Sequence, residues 1–201
     1  MTGARLKVAD CLHVGFLTHH VPSARMADLL AALCDADDPA AVAAAFHAEP
    51  GEAPLAALRP AIDRLFAGDD AAAIVARLEA ESGDFADWAQ STAAGMRGKS
   101  PTSMAIALHQ VRIGGFLPLY NGEEAGAGGS LSFEECMRIE FRIVSRILEE
   151  HDFYEGVRSV LIDRDNAPDW QPATFEAIAP GAIEAHFTTV PARGDLVFAA
   201  G

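Results

Sequence analysis

Ser132-Phe-Glu-Glu135 constrains this chain more than any other stretch: it reads as a capping box and opens the longest predicted helix, to about Glu150. The serine hydroxyl can accept from the third helical N–H while the glutamate returns to the serine's own N–H. Behind it, Met137, Phe141, Val144 and Leu148 mark one helical face, and Ile139, Ile143 and Ile147 mark a second. A helix with two apolar faces needs neighbours on more than one side. Signals for such neighbours recur. Ser100-Pro101 pairs an N-cap with proline at the first helical position and predicts a helix to about Ile113. Asp70 and Asp84 are placed to cap helices over 71–81 and 85–96, and Ser23 a helix to about Leu33. Pro39 opens an alanine-rich helix to about Phe46, and a short helix over 8–14 ends on Gly15. A further helix is expected over 55–66, with Pro60 a candidate for its start. Asp152 and Glu155 form a cap-like pair for a helix over 153–162. Phe16–Val21 reads as extended, 49–54 as a linker or turn, and the glycine-rich 114–131 as a surface loop. The expected class is mainly α, with at most one or two short extended segments.

Charge narrows the partners. The 201 residues carry a formal −14, which opposes nucleic-acid phosphates and anionic membrane surfaces, so an anionic ligand needs a local cation. No apolar run approaches the ~18 residues of a membrane span, and the N-terminal residues carry no basic-then-apolar signal. Cys11, Cys34 and Cys136 stand far apart in helix-like contexts, which points to buried thiols in a reducing cytoplasm rather than to disulfides or zinc.

The candidate chemistry is sparse. His19 and His20 are adjacent on an extended segment and point to opposite faces, so they cannot serve one site together. The remaining histidines stand singly, with no metal-ligand spacing, and no serine sits in a G-x-S-x-G setting. Glu134-Glu135 suits the helix N-terminus, Glu149-Glu150 suits a solvated face, and Glu155 suits a cap. Three cations occupy suggestive places: Lys99 before a helix N-terminus, Arg158, and Arg164 in Ile-Asp-Arg-Asp165. For Arg164 an ion pair with Asp163 or Asp165 competes with a contact to a ligand phosphate, which a guanidinium fits well.

Three blocks carry a resemblance: Lys99-Ser-Pro-Thr-Ser103, Leu131-Ser-Phe-Glu-Glu-Cys-Met-Arg-Ile-Glu-Phe-Arg142, and His151-Asp-Phe-Tyr-Glu-Gly-Val-Arg-Ser-Val-Leu-Ile-Asp-Arg-Asp-Asn-Ala-Pro-Asp-Trp170. They resemble the 3-hydroxyisobutyryl-CoA hydrolase family of the enoyl-CoA hydratase/isomerase (crotonase) superfamily. Thr2 to Pro22 is similar to the superfamily's T-G-x-x-L segment, and the likeness runs to about residue 187. The resemblance implies CoA-thioester hydrolysis in valine breakdown, with CoA as part of the substrate and no separate cofactor. It implies that Phe153 approaches the pantetheine arm and Arg164 the adenine phosphates.

It also implies a gap. In the family a β-β-α spiral core precedes the T-G-x-x-L segment and carries the oxyanion hole and the catalytic carboxylate. Residues 1–22 then correspond to the end of that core, and 23–201 to the helical C-terminal hydrolase-type region. No catalytic residue of the family has a counterpart here. Losing one oxyanion donor typically costs ~10²–10³ in rate, so losing the whole set implies an inactive chain. The alternatives are a non-catalytic helical binding or oligomerisation module, self-associating or docked on a chain that supplies the core, and a remnant of an enoyl-CoA hydratase/isomerase.

Overall fold

The computed structural model describes residues 1–114 and 131–198. Among these the elements are helical, with no strand. The mainly α expectation holds. Most of the predicted glycine-rich loop lies outside the described residues.

The chain forms two compact units, the first of which holds residues 65–114 and 131–198 together with the first three residues. Its helices are α5 (Ala71–Ala80), α6 (Ala86–Arg97), α7 (Pro101–Gly114), α8 (Phe133–Ile147), α9 (His151–Val157) and α10 (Ala182–Thr188). Asp70 caps α5 by accepting from Ala72 N and Ala73 N, as expected. Asp84 does not cap α6, whose N-cap position is Phe85 without a side-chain bond. α5 packs on α6 through Ile74, Val75, Leu78, Ala89, Ala93 and Met96, all essentially buried. Arg97 donates two hydrogen bonds from α6 to Glu79 on α5, at 2.8 and 2.9 Å. A second cluster joins Ile106 of α7, Ile143 of α8 and Phe187 of α10, flanked by Ile139, Ile147 and Ile183.

α8 begins with the predicted capping box, both of its bonds formed between Ser132 and Glu135. Among the described residues, one of its two apolar faces is covered and the other is largely exposed. The Ile139/Ile143/Ile147 face enters the core, whereas Met137, Val144 and Leu148 are exposed, and Phe141 lies under the Arg193 guanidinium at 4.8 Å. The tail is tied to the same helix by charge: Arg142 forks onto Asp195 and also donates to Phe187 O. The Arg142 hydrogen bonds hold the Asp195 carboxyl below its usual range.

The second unit runs over residues 4–64, with α1 (Val8–His13), α2 (Met26–Cys34), α3 (Pro39–Phe46) and α4 (Pro54–Leu65), the last helix crossing the boundary. Pro60 lies within α4 and does not start it. Ser23 opens a 3₁₀ turn with no side-chain cap bond, and α2 follows only at Met26. The predicted extended segment forms no strand, but His20 laces it to the end of α3: Ala48 N donates to His20 O at 2.9 Å and the His20 ring reaches Ala48 O at 2.8 Å. The buried Asp10 accepts from Leu55 N at 2.9 Å, capping α4 from a distant element. The cysteines are free, as expected, yet Cys34 is exposed and the other two only partly covered, so the reading of three buried thiols is corrected.

Candidate functional site

A cavity of about 600 Å³ opens within the first unit, in the size range of small-molecule sites. Its wall combines the start of α7 (Lys99, Ser103), the start of α9 (Phe153), the segment 170–172, and His186 of α10. Ser100 caps α7 by accepting from Ser103 N at 3.1 Å, and donates its hydroxyl proton to Asp152. Its hydroxyl is therefore committed to structure and is not a free nucleophile.

Asp152 and Glu155 do not cap α9, contrary to the sequence expectation; Glu150 holds the N-cap position, without a side-chain cap bond. They grip the segment that follows the helix instead. Asp152 accepts from Gln171 N at 2.8 Å. Glu155, buried, accepts from Asp169 N at 2.7 Å and takes both arms of Arg158 at 2.7 and 2.8 Å. Trp170 donates from its indole to Gly98 O at 3.2 Å. Its ring lies over Gly156, where an added Cβ would stand 3.4 Å from the indole. The carboxylates of α9 thus fix one wall of the cavity.

Arg158 is the hub of this clasp. Its Nη1 donates to Asp163 at 2.6 Å and to Asp165 at 2.7 Å, while Nη2, which binds Glu155, also donates to Ala167 O at 3.2 Å. The chain here leaves α9 through a π turn over Arg158–Ile162, closed by Asp163 N donating to Arg158 O at 2.8 Å. Arg164 and Asn166 then adopt left-handed backbone, φ 58° and 52°, a conformation costly for residues with a Cβ. The hydrogen bonds from Arg158, then that from Asp169 N, hold the Glu155 carboxyl down at about 2. Asp165 is lowered by the same guanidinium, and Arg158 is itself raised, first by Glu155 and then by the two aspartates.

The two residues expected at a CoA contact part company. Phe153 lines the cavity; Arg164 does not. Neither Asp163 nor Asp165 pairs with Arg164, because Arg158 takes both. Arg164 is exposed, and among the described residues its guanidinium makes only a long Nε contact of 3.4 Å to Leu161 O. Lys99 lines the cavity.

Sequence reasoning missed one buried pair. His186, 1% exposed, places Nδ1 2.8 Å from Ala182 O and Nε2 3.0 Å from Glu150. A carbonyl only accepts, so Nδ1 is the donor to Ala182 O. Glu150 also pairs with Arg146 at 3.0 Å and is only half-exposed, so the solvated-face reading fits Glu149, which is exposed, better than Glu150. The two partners lie 36 positions apart, and no motif links them. Among the described residues no cluster of His, Cys, Asp and Glu could hold a metal ion, and no helix is long and apolar enough to cross a membrane.

Residues 1–187 match the enoyl-CoA hydratase/isomerase family model. Among curated relatives, the mitochondrial 3-hydroxyisobutyryl-CoA hydrolase of Danio rerio is 32% identical over 96% of this chain and 49% of its own length. The 3-hydroxyisobutyryl-CoA hydrolase 1 of Arabidopsis thaliana is 32% identical over 98% of this chain and 51% of its own. Two solved structures superpose with a TM-score of 0.75: a carnitinyl-CoA dehydratase from Mycobacterium thermoresistibile, 32% identical over 95% of this chain and 50% of that one, and an enoyl-CoA hydratase from Rhodobacter sphaeroides, 33% identical over 98% and 52%. The chain therefore spans about half the length of the relatives it matches. It belongs to the enoyl-CoA hydratase/isomerase family, of which it represents the C-terminal part.

Proposed function

We propose that this chain is the helical, CoA-facing part of a 3-hydroxyisobutyryl-CoA hydrolase of valine breakdown, and that it does not hydrolyse thioesters by itself. In this reading residues 1–22 are the end of the family's core and 23–201 the helical covering region. One observation carries the reading: a cavity with a largely apolar wall, Phe153 among it, in which the serine-to-carboxylate contact between Ser100 and Asp152 is spent on capping and clasping. Thioester hydrolysis needs donors aimed at the developing oxyanion and an activated water or nucleophile. Phe153 is assigned to the pantetheine arm. Arg164 is assigned to a CoA phosphate, supported by a guanidinium that Asp163 and Asp165 leave alone. The free thiols favour a reducing compartment, the cytoplasm, although the Danio rerio relative is named mitochondrial.

A second reading has its own support. The two solved structures are a dehydratase and a hydratase, at identities equal to those of the hydrolases, so the chain is alternatively part of such an enzyme. The test is to incubate the purified chain with 3-hydroxyisobutyryl-CoA and with an enoyl-CoA. No release of free CoA and no hydration above buffer is expected; turnover of either substrate refutes inactivity and says which reading is right.

A further inference from the structure

The adjacent histidines of the extended segment take no part in the cavity. In the second unit they meet a third histidine, His47, at the end of α3. His20 N donates to His47 Nδ1 at 3.0 Å, and the His19 ring stands edge-on to the His47 ring at 5.8 Å between centroids. A backbone N–H only donates, so His47 Nδ1 presents its lone pair and the ring hydrogen sits on Nε2, 3.3 Å from Glu49 Oε1. The His47 side chain is 25% exposed, so the His20 N–H has little water to turn to when this bond is lost.

The two bonded rings answer to acid in opposite ways. His20 Nδ1 lies 2.8 Å from Ala48 O, which only accepts, so that ring donates whether neutral or charged. His47 accepts, and an imidazolium has no lone pair to offer. Protonation turns its Nδ1 into a second donor aimed at the His20 N–H and sets a positive charge beside the His19 ring. Glu49 pulls the other way, but its side chain is 89% exposed and its contact with His47 is screened by solvent. Further out, His13 and Glu52 share a recess with Glu49, and Arg25 lies over the Phe46 ring at 4.4 Å. We propose that His20 and His47 form an acid-released latch, in which a neutral His47 holds the extended segment to the end of α3 and a protonated His47 lets it go. Histidines make that change between about pH 5 and 8. The latch fixes the near end of the 49–54 linker, whose far end is held where Asp10 of α1 accepts from Leu55 N at 2.9 Å. Release therefore loosens the linker and the segment bearing the exposed Phe16 and Leu17, while Asp10 keeps its hold on α4. The inference lies wholly in the second unit and stands apart from the activity reading.

The experiment records the imidazole ¹⁵N shifts and the amide exchange protection factors of the purified chain at about pH 8 and about pH 5. Both conditions lie above the range in which the Glu155 clasp is lost. At the higher pH, His47 Nδ1 is expected to carry no hydrogen. At the lower, the protection factor of the His20 amide is expected to fall about tenfold, as for one lost hydrogen bond. The amides of Val75 and Leu78, buried in the first unit, are expected to stay protected, which separates local release from unfolding. His47→Ala removes the acceptor, so its His20 amide should show the low protection at both pH values. A hydrogen on His47 Nδ1 at the higher pH, or equal His20 protection at both, overturns the inference. So does a parallel loss at Val75 and Leu78, or a His47→Ala chain that keeps the wild-type drop in acid. The wild-type readings decide the matter even if the variant does not fold.

Discussion

Glu155 shows how one carboxylate can be misplaced by local reasoning and re-explained by its partners. At three residues after Asp152 it looks like half of a capping pair, but it binds Arg158 and Asp169 N and so fastens the segment that walls the cavity. Its carboxyl is held at about 2 against an ordinary 4.5, so the folded state is favoured where the unfolded carboxylate is ionised. That contribution is complete above about pH 4.5 and is lost as pH falls towards 2. Thermal melts at steps from pH 6 to about pH 2 should show a steeper acid loss for wild type than for Glu155→Gln, whose melting point should already be lower at pH 6. Equal slopes would show that the clasp does not form. Arg158→Lys should act like Glu155→Gln at neutral pH, since an ammonium cannot reproduce the fork onto Glu155 and the aspartates. Arg164→Ala is different: with no carboxylate partner among the described residues, it should leave stability within about 0.5 kcal/mol. In a complete enzyme containing this chain, Arg164→Ala and Phe153→Ala should each raise the KM for the CoA thioester. An unchanged KM in both would remove them from the CoA contact.

The elements follow the sequence where the deciding contacts are local. The Ser132–Glu135 box and the Asp70 cap form as expected, because all their groups lie within a turn of each other. Caps supplied by distant groups were not legible: Asp10 reaches Leu55 N across 45 positions, and Asp152 binds Ser100 and Gln171 rather than its own helix. The same reason hides the His186–Glu150 pair and with it part of the cavity wall. Periodicity identified both apolar faces of α8 but could not say which one a neighbour covers. Ile143→Ala, on the core face, should cost about 2–5 kcal/mol, while Val144→Ala beside it should stay within about 0.5 kcal/mol. Chemical denaturation of the two variants measures the contrast, and equal losses would mean that both faces are packed.

At the scale of the molecule, the candidate site is a cavity whose wall the Asp152 and Glu155 clasp fastens. Clasp and cavity are specified by residues 98–187, while about half of each matched relative lies outside the comparison. The resemblance read from the three sequence blocks and the structural match agree on the family. What the blocks could not display was the geometry that binds them together: Ser100 from the first meets Asp152 of the third, and Trp170 closes on Gly98. We propose that this chain completes an acyl-CoA enzyme and does not constitute one. The most direct measurement is the release of CoA from 3-hydroxyisobutyryl-CoA by the purified chain, alone and co-purified with the N-terminal half of the Arabidopsis thaliana relative. No release above buffer is expected from the chain alone and hydrolysis is expected from the pair; turnover by the chain alone refutes the proposal.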